Sequence, residues 1–177
     1  MVEITGIYGA GVYPDGTLEP ICANRVKKGM QLLMDKETEV VVMLGTPGPY
    51  MRLYALKKFP YIDKSKILVE GKGRSAVEET KNFKENFIQP YGYKIIGKVS
   101  QAWHFPRIKM IDSFFFSSNY KIEYFEAEDG RNEEEIRKSI VKEKFAFLRD
   151  YVRLKIPFGT SSKMEKLLEL TEKLYNL

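Results

Sequence analysis

His104 is the only histidine of the chain and stands three residues before Arg107 in the segment Ser100-Gln101-Ala102-Trp103-His104-Phe105-Pro106-Arg107. Imidazole titrates near neutrality and a guanidinium grips phosphate or carboxylate bidentately, so this pairing suits proton transfer beside an anion. With Pro106 opening a helix, both side chains can lean over one pocket, although a lone histidine also serves as a satisfied core or cap residue. Glu70 follows the apolar run Ile67-Leu68-Val69 and precedes Gly71. An acid at the edge of a buried sheet fits a base, a magnesium ligand, or an ion-pair partner for Arg74 or Arg107. Arg25, one turn before an apolar stripe, fits an exposed helical arginine or an anion clamp.

Glycines punctuate the same stretches. Gly9-Ala10-Gly11 lacks the third glycine of a dinucleotide fingerprint and opens no helix, so it reads as a turn before it reads as a phosphate cradle. Asp15-Gly16 is likewise a turn dipeptide. Gly45-Thr46-Pro47-Gly48-Pro49 closes a β-branched run, and Ser75 with Glu78 has capping-box spacing. The predicted site therefore comprises His104 and Glu70 as catalytic residues, with Gly9, Gly11, Arg25, Gly45, Ser75, Gln101 and Arg107 binding ligand. No metal site is expected, because one cysteine, Cys22, and one histidine form no cluster of metal-site spacing.

Positioning these residues requires strands that end where they stand. Short β-branched runs alternate with longer amphipathic stretches, the pattern of strand-helix units building a parallel sheet. Strands are predicted over 4–8, 39–44, 66–69, 93–99 and 121–125. Helices are predicted over 21–35 with Val26, Met30, Leu33 and Met34 inward, over 50–59, from Ser75, from Pro106 to about 117, and from an Asn132 cap to about 154. Pro157-Phe158-Gly159 breaks the last of these, and a tail helix from Ser162 carries an apolar stripe of Met164, Leu167, Leu168 and Leu174. The expected fold is α/β: a Rossmann-like three-layer sandwich on a mainly parallel five-stranded sheet over 1–156, with an extra amphipathic C-terminal helix over 157–177. In such a sheet, ligands bind outside the carboxyl ends of the strands, where every candidate above lies.

Composition narrows the classes. At 177 residues with 44% hydrophobic content the chain can build one cored domain, and no apolar run approaches the roughly 20 residues of a membrane span. The N-terminus has no basic stretch followed by an apolar region, so a cytoplasmic location is expected. A net charge of +5 raises nucleic acid as a partner, which would show as a steep salt dependence, yet Lys and Arg are interleaved with Glu rather than gathered in a stripe. Abundant Lys and Glu also suit a heat-adapted protein. There is no Gly-x-Ser-x-Gly elbow, Gly-Lys-Ser phosphate loop or His-Glu-x-x-His pair, and Trp103 and the other aromatics read as core.

Three stretches resemble the YdcF-like proteins, the family of SanA and ElyC. Residues 9–17, Gly-Ala-Gly-Val-Tyr-Pro-Asp-Gly-Thr, followed by Arg25 are similar to its Gly-rich loop, Pro-Asp-Gly turn and helical arginine. Residues 67–82 resemble its third-strand acid and Thr-led helix, although Arg74-Ser75 stand where the family has Asn-Thr, Glu78 stands near a usual Asn, and Pro49-Tyr50 replace a usual acid. The Ser-x-x-x-His-x-Pro-Arg segment ending at Arg107 is the most specific match. Order and spacing agree over about 4–152. The resemblance implies a Rossmann-like fold with a polar cleft in which Arg25, Glu70, His104 and Arg107 carry over by position. It also implies an S-adenosylmethionine link through one member and an envelope role through anchored members, a role not transferred to this chain.

Two functions fit these residues. One is an enzyme, a transferase or hydrolase acting on a nucleotide-like or phosphorylated small molecule, with S-adenosylmethionine or a divalent metal as candidate cofactors. The other is a non-catalytic module that senses a nucleotide or S-adenosylmethionine. The partner in either case is a small molecule with an anionic group, with no membrane partner, and the apolar tail stripe predicts a homodimer.

Overall fold

The computed structural model describes residues 1–155; the predicted tail helix from Ser162, and the dimer inferred from it, lie outside the described residues. Five parallel strands form one sheet: β1 (Val2–Ile7), β2 (Thr38–Met43), β3 (Ile67–Val69), β4 (Ile95–Ser100) and β5 (Lys121–Glu126), in the order β3-β2-β1-β4-β5. Helices α1 (Pro20–Met34), α2 (Gly48–Lys58), α3 (Ala76–Phe83), α4 (Phe105–Phe115) and α5 (Glu133–Lys155) follow the strands in turn. This is the expected Rossmann-like architecture. Predicted ends differ by one or two residues at most elements; β4 starts two residues late because the Glu3 carboxylate takes the amides of Lys94 and Ile95. None of the described helices is long and apolar enough to cross a membrane.

The period-two alternation of the strands sorts their side chains onto two faces, and each face grows its own core. Ile7, Val41, Met43 and Val99 pack with Val26, Met30 and Leu33 of α1 and Met51 and Ala55 of α2. Ile4, Tyr8, Val42 and Ile96 pack with Phe83 of α3 and Ile108 and Ile111 of α4. Met34, expected inward, is only half-buried and accepts a hydrogen bond from the Tyr61 hydroxyl. The turn reading of Asp15-Gly16 holds: Gly16 has φ +83°, and the Asp15 carboxylate accepts from the Thr17 amide and hydroxyl. Asn132 caps α5 in a reciprocal box, its Oδ1 taking the Glu135 amide while Glu135 takes the Asn132 amide.

Lys98 breaks the apolar rule on the second face. It is wholly buried, pairs with Asp112 of α4 and donates to the Tyr8 hydroxyl at 2.9 Å, while Tyr124 donates to the other Asp112 oxygen. The rings of Tyr8, Phe83 and Phe116 surround its ammonium, and burial lowers its pKa against the pull of Asp112. A buried pair is close to break-even when intact, but removing one partner strands the other charge. Lys98→Met should cost about 3–5 kcal/mol in urea unfolding near neutral pH, and adding Asp112→Leu should return much of it; a loss below about 1 kcal/mol for the single change would contradict this account of the core.

Candidate functional site

The strand order reverses between β1 and β4, so the loops leaving those strands diverge to opposite faces and open a crevice. A cavity of about 380 Å³ lies there. Its walls include Gly9 and Gly11 after β1, Glu19 and Arg25 of the α1 entrance, Arg74 to Ala76 and Glu79 at the start of α3, His104 and Arg107 after β4, and Glu143 of α5.

Arg25 is 2% exposed, although a helical arginine is ordinarily solvated. Its Nε donates to Gln101 Oε1, and its Nη1 donates to the carbonyls of Tyr8 and Gly9. No acceptor among the described residues takes Nη2, so that nitrogen is available to the cavity. Gln101 also donates to the carbonyls of Ile21 and Glu128. It is 1% exposed, and it holds Arg25 rather than reaching the cavity.

His104 packs edge-on to Tyr8 and bonds through Nδ1 to the Ser100 hydroxyl at 2.8 Å, which explains the Ser-x-x-x-His spacing. Its Nε2 lies 3.4 Å from Glu143 Oε1. Burial, then the neighbouring Arg25 and Arg107, push its pKa well below that of a free imidazole, so it is neutral at physiological pH. Ser100 is fully buried and does not line the cavity, so its hydroxyl serves the imidazole. Arg107 does not reach into the cavity as an open clamp: Nε and Nη2 bind Asp150 at 2.8 and 2.7 Å, and Nη1 faces Glu143. It ties α4 to α5.

Ser75 caps α3, its hydroxyl accepting from the Glu78 amide at 3.3 Å, while Glu78 reaches back to the Arg74 amide, one residue beyond the usual box. The amides of Ser75 and Ala76 are left without an acceptor among the described residues, as first-turn amides are, and both residues line the cavity. Gly9 approaches the Leu44 carbonyl and the Pro47 ring so closely that a Cβ would lie 2.9 and 3.0 Å away, and Gly11 lies under the Glu19 carboxylate.

Glu70 and Gly45 stand apart from this group. The Glu70 carboxylate accepts from the amides of Gly45, Lys72 and Gly73 and from the Asn82 side chain, and it does not line the cavity. Its position binds the β2 and β3 loops together, and the Gly45 amide is consumed in doing so.

Among the acids that line the cavity, Glu79 is the buried one, and the sequence passes over it in favour of Glu70. It lies one helical turn beyond Ser75, and helical side chains lean toward the N-terminus, which brings it back against Gly45 and Gly73 at the cavity wall. A methyl added at Gly45, where φ is +78°, would lie 2.1 Å from its Oε1, and one added at Gly73 would lie 2.8 Å from its Cγ. Among the described residues no donor bonds its carboxylate. Burial against glycine carbons raises its pKa to about 7, over the opposing attraction of Arg25. Glu143 is also raised by burial, with Arg107 opposing. No group of three potential metal ligands occurs among the described residues.

Sheet order and crevice together define a doubly wound α/β protein with a polar cleft at its switch point. No protein-family model, curated protein or solved structure matches the chain.

A carboxyl whose pKa rises on folding ionises first in the unfolded chain, so it costs stability as pH rises from 4.5 through 7 and is neutral in effect below that range. Glu79→Gln should therefore stabilise the protein at pH above 7 by up to about 3 kcal/mol, with the gain vanishing as pH falls toward 4.5. Glu70→Gln, which weakens charge-assisted bonds to several amides, should instead destabilise by about 2 kcal/mol at neutral pH. Thermal unfolding of both variants across pH checks the contrast.

Proposed function

We propose that this protein is a YdcF-like enzyme acting on a nucleotide-like or phosphorylated small molecule, with the anionic group seated between α1 and the start of α3. The observation that carries this reading is the convergence, at one crevice, of the open Nη2 of Arg25, the unpaired amides of Ser75 and Ala76, and the neutral imidazole of His104. A helix N-terminus offers amides and a partial positive charge to an oxyanion, and a buried guanidinium adds a full charge in a medium that screens it poorly. The cavity has the size of a small ligand's reactive portion rather than of a macromolecule's surface.

Within that arrangement Arg25 and the α3 amides hold the anion, and neutral His104, oriented by Ser100, presents Nε2 for a hydrogen bond. Arg107 contributes by fixing Glu143 and α5 against the cavity rather than by direct grip. A transferase or a hydrolase would use this arrangement alike, and an adenosine-bearing ligand such as a nucleotide or S-adenosylmethionine is the class to try first.

Inorganic phosphate, AMP and S-adenosylmethionine, titrated separately into labelled protein, should move the amide signals of Ala10, Gly11, Ser75 and Ala76 for at least one phosphate-bearing probe. Arg25→Lys should weaken that binding about tenfold, or about 1.4 kcal/mol, because ammonium cannot keep both the Gln101 bond and the cavity contact. Shifts scattered over the Lys-rich surface, with these four amides unmoved, would sink the reading.

A further inference from the structure

The geometry points to Glu79 as the proton-carrying group of this cavity: it takes a proton from solvent as a tetrahedral oxyanion enters and holds it as a hydrogen-bond donor against one anion oxygen. This rests on the anion-binding reading above and adds what that reading lacks, an acid able to exchange a proton at neutral pH. His104 cannot fill that role, since the buried imidazole flanked by Arg25 and Arg107 stays neutral. Glu143 is held by Arg107, and Glu70 is taken up by backbone amides outside the cavity. Glu79 alone among the carboxyls of this crevice is both buried and without a donor.

The charges acting on it come from every side. Arg25 of α1 is its strongest attraction, Arg107 of α4 and Lys98 of β4 add weaker ones, and Glu70 after β3 repels it. Glu19, Arg74, His104 and Glu143 share the cavity wall, and Tyr8 and Cys22 lie close enough to feel its charge. An oxyanion placed on Arg25 Nη2 and the Ser75 and Ala76 amides competes for that leading attraction and brings a like charge beside the carboxylate. Two anions in poorly screened surroundings cannot both stay ionised at small cost, so the weaker acid binds a proton. The bond formed is O–H on the Glu79 carboxyl, the bond broken is the O–H or N–H of the hydronium ion or buffer acid that supplies the proton, and no bond of the anion changes. The ligand class that fits is a tetrahedral dianion such as a phosphate monoester, whose lone pairs accept from the acid where a carboxylate would repel.

Sulfate tests this without titrating itself in the neutral range. Calorimetry of sulfate binding to the whole protein just above neutral pH, in two buffers of different ionisation enthalpy, should show more than half a proton taken up per sulfate bound, and Glu79→Gln should bind sulfate with no uptake. Carbon-detected NMR of the Glu79 carboxyl should show a midpoint near 7 in the free protein, moving upward with sulfate. Sulfate binding without uptake, uptake retained in Glu79→Gln, or a Glu79 midpoint in the ordinary carboxylate range each overturns this role and leaves the anion site standing. Failure of the wild-type protein to bind sulfate at tens of millimolar overturns the anion site, and the proton role falls with it.

Discussion

A guanidinium buried where two strand ends part must be satisfied by whatever the parting backbone offers, and Arg25 is satisfied by both sides at once. Its Nη1 binds the carbonyls of Tyr8 and Gly9 at the end of β1, and its Nε binds Gln101 just past β4. Gln101 then reaches the carbonyls of Ile21 and Glu128. One cation thus ties together the loops that strand order drives apart, and the crevice keeps a defined shape because of it. Since those acceptors are neutral, no ion pair cancels the positive charge, which acts on Glu79, Glu143 and Asp129 without direct contact. It remains directed into the cavity through Nη2.

The rest of the cavity follows from that uncancelled charge. His104 is held neutral by burial with Arg25 and Arg107 nearby, and a base that has lost its proton can accept one or donate its single N–H. Glu79 feels the opposite pull from Arg25, yet burial outweighs it. Under the proposed reading the cavity separates two tasks usually given to one histidine, with the imidazole orienting and the carboxyl exchanging protons. Arg107 lies outside this division, since Asp150 and Glu143 neutralise it and make it the joint between α4 and α5.

The architecture was legible because strand and helix periods differ, and turn residues mark each boundary; Ile4, Val41, Val99 and, on α1, Val26, Met30 and Leu33 fall where their spacing puts them. Gly9, Gly11, Arg25, Ser75, His104 and Arg107 reach one crevice because strand ends of a parallel sheet share a rim. What spacing does not convey is which polar partners a side chain meets. Arg107 looks like an open clamp until α5 supplies Asp150, 43 positions along the chain. Lys98, Glu143 and Asp150 left no local mark, because a buried charge in a strand or helix looks like a solvated one until its neighbours are known.

Glu70 and Glu79 show the limit most clearly, because the nearer sequence signal belonged to the acid that lies outside the cavity. Glu70 ends an apolar strand and so draws attention, but the loop after it turns back and spends its amides on that carboxylate. Glu79 lies inside a helix among other charged residues, where an acid is ordinary. Gly45 separates their fates: its amide hydrogen points at Glu70, while its bare Cα, at a φ that disfavours side chains, lies against Glu79. The same glycine satisfies one carboxylate and withholds donors from the other. Chemically identical groups on either side of Gly45 differ because one accepts from three backbone amides, while the other, buried at the cavity wall, accepts from no donor among the described residues.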